Sequence, residues 1–314
     1  MLGLGTPGRR GGESSRMKLA LICPCGAPNL TRTRQGIEIL QSWGFEVLPG
    51  PVLKRYLEGS ARTELPFLAA SDPERLDDLA WGLQAAVDAC WVVRGGHGLT
   101  RLVQQLPEPG VPRPVLGFSD ASALLAALQR RGWMQLYHCA NVQTLPMLDA
   151  PSLEATRRLV QGHPLPPMAG RWLRAGRAEG VLWGGNLCVL SCLCGTSEAL
   201  QCEGRILALE DVNEAAYRLD RMLFQLEASG SLRGLVGVAL GHFVDCGDLQ
   251  ALWRHWAERW QVPVLMDLPF GHGGENRPLS LGQRVVLDQS QMSWVDRSIF
   301  SGRGAGPKSS AVSG

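Results

Sequence analysis

Apolar positions along the chain fall into short unbroken runs that alternate with stretches of helical spacing. Lys18–Cys23 is such a run, closed by Pro24, and reads as a buried strand. Thr31–Trp43 follows with helical spacing, and Gly44 stops it. Phe45–Leu48 reads as the next strand. Asp72 before Pro73-Glu74 is a helix start, and the pattern runs to about Val87. Ala89–Val93 is a third strand, ending in the glycine loop Arg94-Gly95-Gly96-His97-Gly98, and Leu99–Gln105 then begins another helix. Val115–Phe118 is a fourth strand, followed at once by Ser119-Asp120 and the helical run Ala121–Arg130. Strands alternating with helices predict an α/β fold with a parallel sheet and helices on both faces.

The pattern changes beyond residue 141. Pro146, Pro151, Pro164, Pro166 and Pro167 punctuate the chain and predict a linker over 146–177, between an N-terminal domain at 17–145 and a C-terminal domain at 178–300. The second block holds Leu182–Leu187, a buried strand Arg205–Leu209, a helix from about Ala215 to Leu226 and a strand Leu235–Leu240. Trp253–Trp260 is helical, and Val264–Leu265 leads into Pro269-Phe270-Gly271-His272-Gly273. Strands at Arg284–Leu287 and Met292–Val295 close it, which makes this block β-rich. Residues 1–16 and 301–314 are small and polar and predict flexible tails.

Composition narrows the function classes. A chain of 314 residues with 45% hydrophobic and 19% charged residues reads as soluble and globular. The net charge of +2, without a basic stripe, points away from nucleic acid. No apolar run approaches the length of a membrane span, and the N-terminus lacks the apolar region of a secretory signal, so a cytoplasmic setting is expected. The odd count of nine cysteines fits free thiols in a reducing compartment. Cys23 and Cys25, and Cys188, Cys192, Cys194 and Cys202, form two clusters, but neither has paired C-x-x-C spacing, so buried thiols are expected rather than a metal site.

The sharpest local feature is Gly117-Phe118-Ser119-Asp120-Ala121. A strand that runs straight into a helix with serine at the junction has the layout of a nucleophile elbow. Ala121 stands where the second glycine of G-x-S-x-G would be, a place that needs a small residue. The same residues also suit plain helix capping. The glycine loop 94–98 is equally open: a close backbone approach to a ligand, or a structural turn.

A serine nucleophile needs a base, and His272, in a small-residue loop after a strand, is the foremost candidate, with His242 as a rival. His255 reads as a packing or surface residue, and His97 is placed to touch substrate. The orienting carboxylate would come from Glu210-Asp211 at a strand end, although either residue also fits a helix cap. The order Ser…Glu…His is that of α/β-type hydrolases. Two other classes compete: a binding module that kept the fold without catalysis, and a cysteine hydrolase using Cys139, around which no elbow is found.

Together these segments resemble the LD-carboxypeptidase family of serine peptidases. The resemblance rests on Arg94-Gly95-Gly96-His97-Gly98 with Arg101-Leu102, Gly117-Phe118-Ser119-Asp120, Gly184-Gly185-Asn186-Leu187, Leu209-Glu210-Asp211 with Glu214 and Tyr217–Arg221, Gly241-His242-Phe243, and Gly271-His272-Gly273 with Asn276. It spans roughly residues 18–290. It implies an N-terminal sandwich of parallel strands and helices, a β-rich C-terminal α/β domain, and a site between them. Ser119 would be the nucleophile, His272 the base and Glu210 its partner. The N–H groups of Asp120 and Gly96 would form the oxyanion hole, and His97, Arg94 and Asn186 would meet substrate. Arg94, Arg101 and Arg277 all stand as candidates for the substrate carboxylate. The implied reaction releases the terminal D-alanine from a muropeptide tetrapeptide in peptidoglycan recycling, by a homodimer without metal or organic cofactor. The family also contains self-immunity hydrolases that cleave peptidyl- or aminoacyl-nucleotide antibiotics. Two departures bear on substrate identity: His97 stands where the family usually shows Tyr or Glu, and His138-Cys139-Ala140 where it often shows His-Gly-Pro.

Overall fold

The computed structural model describes residues 16–84, 86–106, 110–295 and 300. Apart from Arg16, the expected tails lie outside the described residues. The first half runs β1 (Lys18–Ile22), α1 (Leu30–Ser42), β2 (Glu46–Pro49), α2 (Pro51–Leu57), α3 (Asp72–Gln84), β3 (Ala89–Val92), β4 (Val115–Gly117), α4 (Ser122–Arg130), β5 (Leu136–His138) and α5 (Ala150–Val160). The second runs β6 (Met168–Ala169), β7 (Arg171–Arg174), β8 (Ala178–Asn186), α6 (Leu187–Ser191), β9 (Arg205–Val212), α7 (Ala216–Ala228), β10 (Gly237–Val244), α8 (Gln250–Trp260), β11 (Val264–Met266), β12 (Leu279–Leu281), β13 (Arg284–Asp288) and β14 (Gln291–Trp294).

Side chains that alternate across a strand bury both faces of the first sheet. Leu19, Leu21, Trp91 and Leu116 face one apolar cluster with Leu40 of α1, while Ala20, Ile22, Cys90 and Val115 face another with Leu79 and Leu83 of α3. The sheet is six-stranded in the order β12-β5-β4-β3-β1-β2. Its members from β5 to β2 are parallel, and β12 pairs antiparallel with β5. The chain order reverses between β1 and β3, which places a crevice at the C-terminal ends of the strands. The second sheet has eight strands in the order β6-β14-β13-β8-β9-β10-β11-β7, with β8 to β11 parallel and the flanking pairs antiparallel. This is the α/β class read from the sequence.

The two sheets meet through α4. Its residues Ser122–Leu128 are all buried, because α4 packs on its own sheet on one side and on β8 and α6 on the other. The cluster that holds Leu124 and Leu128 therefore continues to Leu207 and Leu209 of β9. Gly185 sits at the contact with φ +146, where a Cβ would lie 2.5 Å from Ser122 Oγ. The backbone N–H of Asn186 donates to that hydroxyl at 3.0 Å.

Several elements differ from the sequence expectation. Segment 146–177 is not an irregular linker: it carries α5, β6 and β7. Pro151, read as a breaker, lies in the first turn of α5, where a missing N–H costs nothing, and Asp149 caps that helix by accepting from Ser152 N at 2.8 Å. Pro51 opens α2 in the same way. Leu99–Gln105 forms two 3-10 turns, Leu99–Arg101 and Val103–Gln105, rather than a helix start. Among the described residues no helix is long and apolar enough to cross a membrane.

Candidate active site

β4 delivers Ser119 to the crevice. Phe118 is extended at φ −150, and Ser119 then takes φ +63, a left-handed conformation rarely adopted by residues other than glycine. Such strain persists where the surroundings over-determine it. Asn141 holds the turn by accepting from Phe118 N at 3.2 Å through Oδ1. The turn is tight because its neighbours are small. A Cβ on Gly117 would come within 2.8 Å of Ala121 Cβ, and one on Gly95 within 2.9 Å of Ser119 Cβ and 3.1 Å of its Oγ. No side chain caps the 3-10 turn Ser119–Ala121 or the start of α4, so the capping alternative fails for Ser119. The carboxylate of Asp120 is buried, its Oδ2 accepts from Leu99 N at 2.9 Å, and burial raises its pKa.

β9 delivers the carboxylate. Glu210 is fully buried, and its Oε2 meets His272 Nδ1 at 2.6 Å and His272 N at 3.2 Å. Burial pushes the Glu210 pKa up, but contacts to His138 and His272 outweigh it and bring the value down to about 2. For His272, burial disfavours the charged ring, yet the hydrogen bond and charge of Glu210 prevail and the pKa is raised. The pair thus comprises an ionised carboxylate and a histidine held by Nδ1, with side-chain exposure of 19% for His272. The His272 ring lies 4.8 Å, centroid to centroid, from the ring of Phe118, the residue before Ser119.

The His272 loop is fastened on three sides. Gly271 has φ +113 and lies against Glu210, where a Cβ would stand 2.7 Å from Glu210 Cβ. Its N–H donates to Asn276 Oδ1 at 3.1 Å, and Asn276 N donates to Ser152 Oγ of α5 at 3.0 Å. His242 N donates to Phe270 O at 2.8 Å. His242 is therefore a backbone support of this loop, and its Nε2 faces Glu275 at 3.3 Å rather than Glu210.

The other expected residues separate. Asp211 caps α6: its Oδ2 accepts from Cys188 N at 2.8 Å and its Oδ1 from Asn186 Nδ2 at 2.9 Å. Burial, with the nearby Glu210 charge, raises the Asp211 pKa to about 6. Asn186 is buried as the N-cap of α6, accepting from Val189 N at 3.1 Å. His97 is exposed, with its ring edge against Phe67 at 5.8 Å. Arg94 donates to the carbonyl of Ala27. Gly95 is the loop residue in contact with Ser119, while Gly96 lies over Gly26. Arg101 is held by Asp72 at 2.7 and 2.9 Å and lines a cleft of about 500 Å³ with Arg62, Leu65 and Glu74. Arg277 Nη2 lies 3.7 Å from Glu275. His255 is exposed on α8. Cys139 is wholly buried and its thiol pKa is pushed far up, which makes it a poor nucleophile. His138, which the sequence offered only as part of a motif, comes to Glu210 from the opposite side to His272.

The profile of the LD-carboxypeptidase N-terminal domain matches residues 19–138, and that of the LD-carboxypeptidase C-terminal domain residues 179–287. A murein tetrapeptide carboxypeptidase of Pseudomonas aeruginosa is 34% identical over 302 residues, covering 88% of this chain and 95% of that protein. A solved muramoyltetrapeptide carboxypeptidase from Oxalobacter formigenes is 28% identical with a TM-score of 0.74, covering 87% of this chain and 97% of that one. A microcin self immunity protein, solved in complex with aspartyl sulfamoyl adenosine, shares the fold with a TM-score of 0.76 at 18% identity, covering 89% and 96%.

Proposed function

The chain belongs to the LD-carboxypeptidase family of serine peptidases, and from that premise we propose that it hydrolyses the L,D-amide before a C-terminal D-alanine in muropeptide tetrapeptides, a step of peptidoglycan recycling. The observation that carries the reading is the 2.6 Å pair of His272 Nδ1 and buried Glu210, beside a serine held at φ +63. In this reading residues 17–145 supply the nucleophile and residues 178–300 the base, with the substrate between them. The working form is taken to be a cytoplasmic homodimer.

Ser119 Oγ attacks the scissile carbonyl as His272 Nε2 takes its proton. Glu210 keeps the other ring nitrogen protonated and stabilises the imidazolium that forms. The negative oxygen of the tetrahedral adduct accepts from the N–H groups of Asp120 and Gly96. Placement of Asp120 N at the head of the turn leading into α4 supports the first donor, and for the second the residue in contact with Ser119 is Gly95, the immediate neighbour of Gly96. His272 then protonates the leaving amine, D-alanine departs, and water repeats the sequence to free Ser119. His97 is the exposed contact offered to substrate, while Arg94 and Asn186 are engaged with Ala27 and with the start of α6.

The test is a paired assay of a muramoyl tetrapeptide and an aminoacyl-adenylate analogue. The proposal expects D-alanine release from the tetrapeptide, lost in a folded Ser119→Ala variant. Turnover of the adenylate analogue alone would replace it with the self-immunity reading. Turnover of neither would favour the binding module.

A further inference from the structure

Of the six histidines, His138 is the one that is fully buried. Its ring is edge-on to Phe118 and Phe270, with centroids 6.0 and 6.3 Å away. Neither of its ring nitrogens has a hydrogen-bond partner, and neither has Oε1 of Glu210. These orphans face each other: His138 Nε2 stands 3.6 Å from Oε1, while Oε2 holds His272. A buried polar group left unpaired costs about 1–3 kcal/mol, and a movement of a few tenths of an ångström would close this gap into a hydrogen bond.

The backbone fixes His138 in both directions. It is in register with Gly117 of β4, two residues before Ser119, and with Leu279 of β12, the strand that follows the His272 loop. The residue therefore sits between the strand carrying the nucleophile and the strand leaving the base, and reaches across to the carboxylate of the second sheet. The titratable groups around Glu210 are His138 from β5, His272 from the loop after β11 and Asp211 beside it on β9.

We propose that His138 is a positioning residue for the hydrolytic reaction: its Nε2–H binds Oε1 of Glu210 and fixes the carboxylate so that Oε2 stays on His272 Nδ1. The role rests on the serine-hydrolase reading of Ser119, His272 and Glu210. A carboxylate held at one oxygen can swing about its last torsion, whereas one held at both cannot, and a displacement of about 1 Å at a reacting group costs on the order of 10²-fold in rate. Sharing the Glu210 charge between two donors also limits how far it raises the basicity of His272.

The experiment compares His138→Leu, which fills the space without a donor, with His138→Gln, whose amide nitrogen falls near the place of Nε2. The readouts are kcat and KM for the tetrapeptide, the rate of fluorophosphonate labelling of Ser119 against pH, and the melting temperature. The Leu variant is expected to lose about 10–100-fold in kcat and labelling rate, with KM within about twofold. Its acid limb should move to higher pH, because the Glu210 charge then falls wholly on His272. The Gln variant should recover most of the rate and the original limb. A Leu variant that keeps the wild-type rate and limb, or a folded Gln variant as impaired as Leu, overturns the role of His138 while leaving the hydrolase reading standing. A wild-type protein that is not labelled at Ser119 overturns both. If the Leu variant does not fold, the Gln variant with a wild-type acid limb supports the proposal, and one with a shifted limb overturns it.

Discussion

Glu210 lies fully buried between two histidines, and its ionisation bears on stability and, in the proposed mechanism, on activity. Its folded-state pKa of about 2 is below the ordinary carboxyl value of 4.5 that it regains on unfolding. Ionised Glu210 therefore stabilises the fold above about pH 4.5, and that contribution is lost as the pH falls toward 2. For His272 the shift is upward, and in the proposed mechanism the ring must be neutral to accept the Ser119 proton. The kcat/KM profile should therefore have an acid limb with its midpoint above the ordinary histidine value of about 6.5. Glu210→Gln is expected to lower kcat by about 10³–10⁴-fold and to move that midpoint down, since burial of His272 is then opposed only by the charge of Asp211. A pH series on the two proteins checks both; a midpoint that stays in place would separate the limb from this pair. The residues alone did not choose between Glu210 and Asp211, and only the family resemblance named Glu210. Neighbouring residues on a strand point to opposite faces, and only the fold reveals that one faces His272 and the other caps α6.

At the scale of elements, the strand-to-helix junction at Ser119 and the glycine loop before it were readable because both depend on local residue size. Gly95 makes the point: a methyl there would meet Ser119 Cβ at 2.9 Å and Oγ at 3.1 Å. Gly95→Ala should therefore keep the fold and reduce kcat/KM by about 10²-fold, seen as slow turnover with a near-native circular dichroism spectrum. Unchanged turnover would mean that the loop yields freely. What escaped the sequence were elements whose signals point the wrong way or are too short to have a period. Pro151 hides α5 by sitting in its first turn, and β12 has only three residues. Both matter to the site, because Ser152 of α5 ties down Asn276 behind the His272 loop, and β12 holds that loop's exit against β5. The histidines show the same limit. His272 stood out by its glycines, whereas the place of His138 depends on two sheets meeting.

For the whole molecule, the essential feature is that Ser119 follows a strand of one sheet and Glu210 lies on a strand of the other, the two joined by one continuous core through α4. The family resemblance implied a site divided in this way. The tightness of the seam, down to Gly185 against Ser122, is a property of packing alone. The central claim is that Ser119 is reactive because His272 reaches it across that seam. It is tested most directly by mapping the site of a fluorophosphonate adduct by peptide mass spectrometry in the wild type and in a folded His272→Ala variant. The account predicts a single adduct on Ser119 in the wild type and its near-complete loss in the variant. An adduct on another residue, or equal labelling of Ser119 without His272, would contradict it.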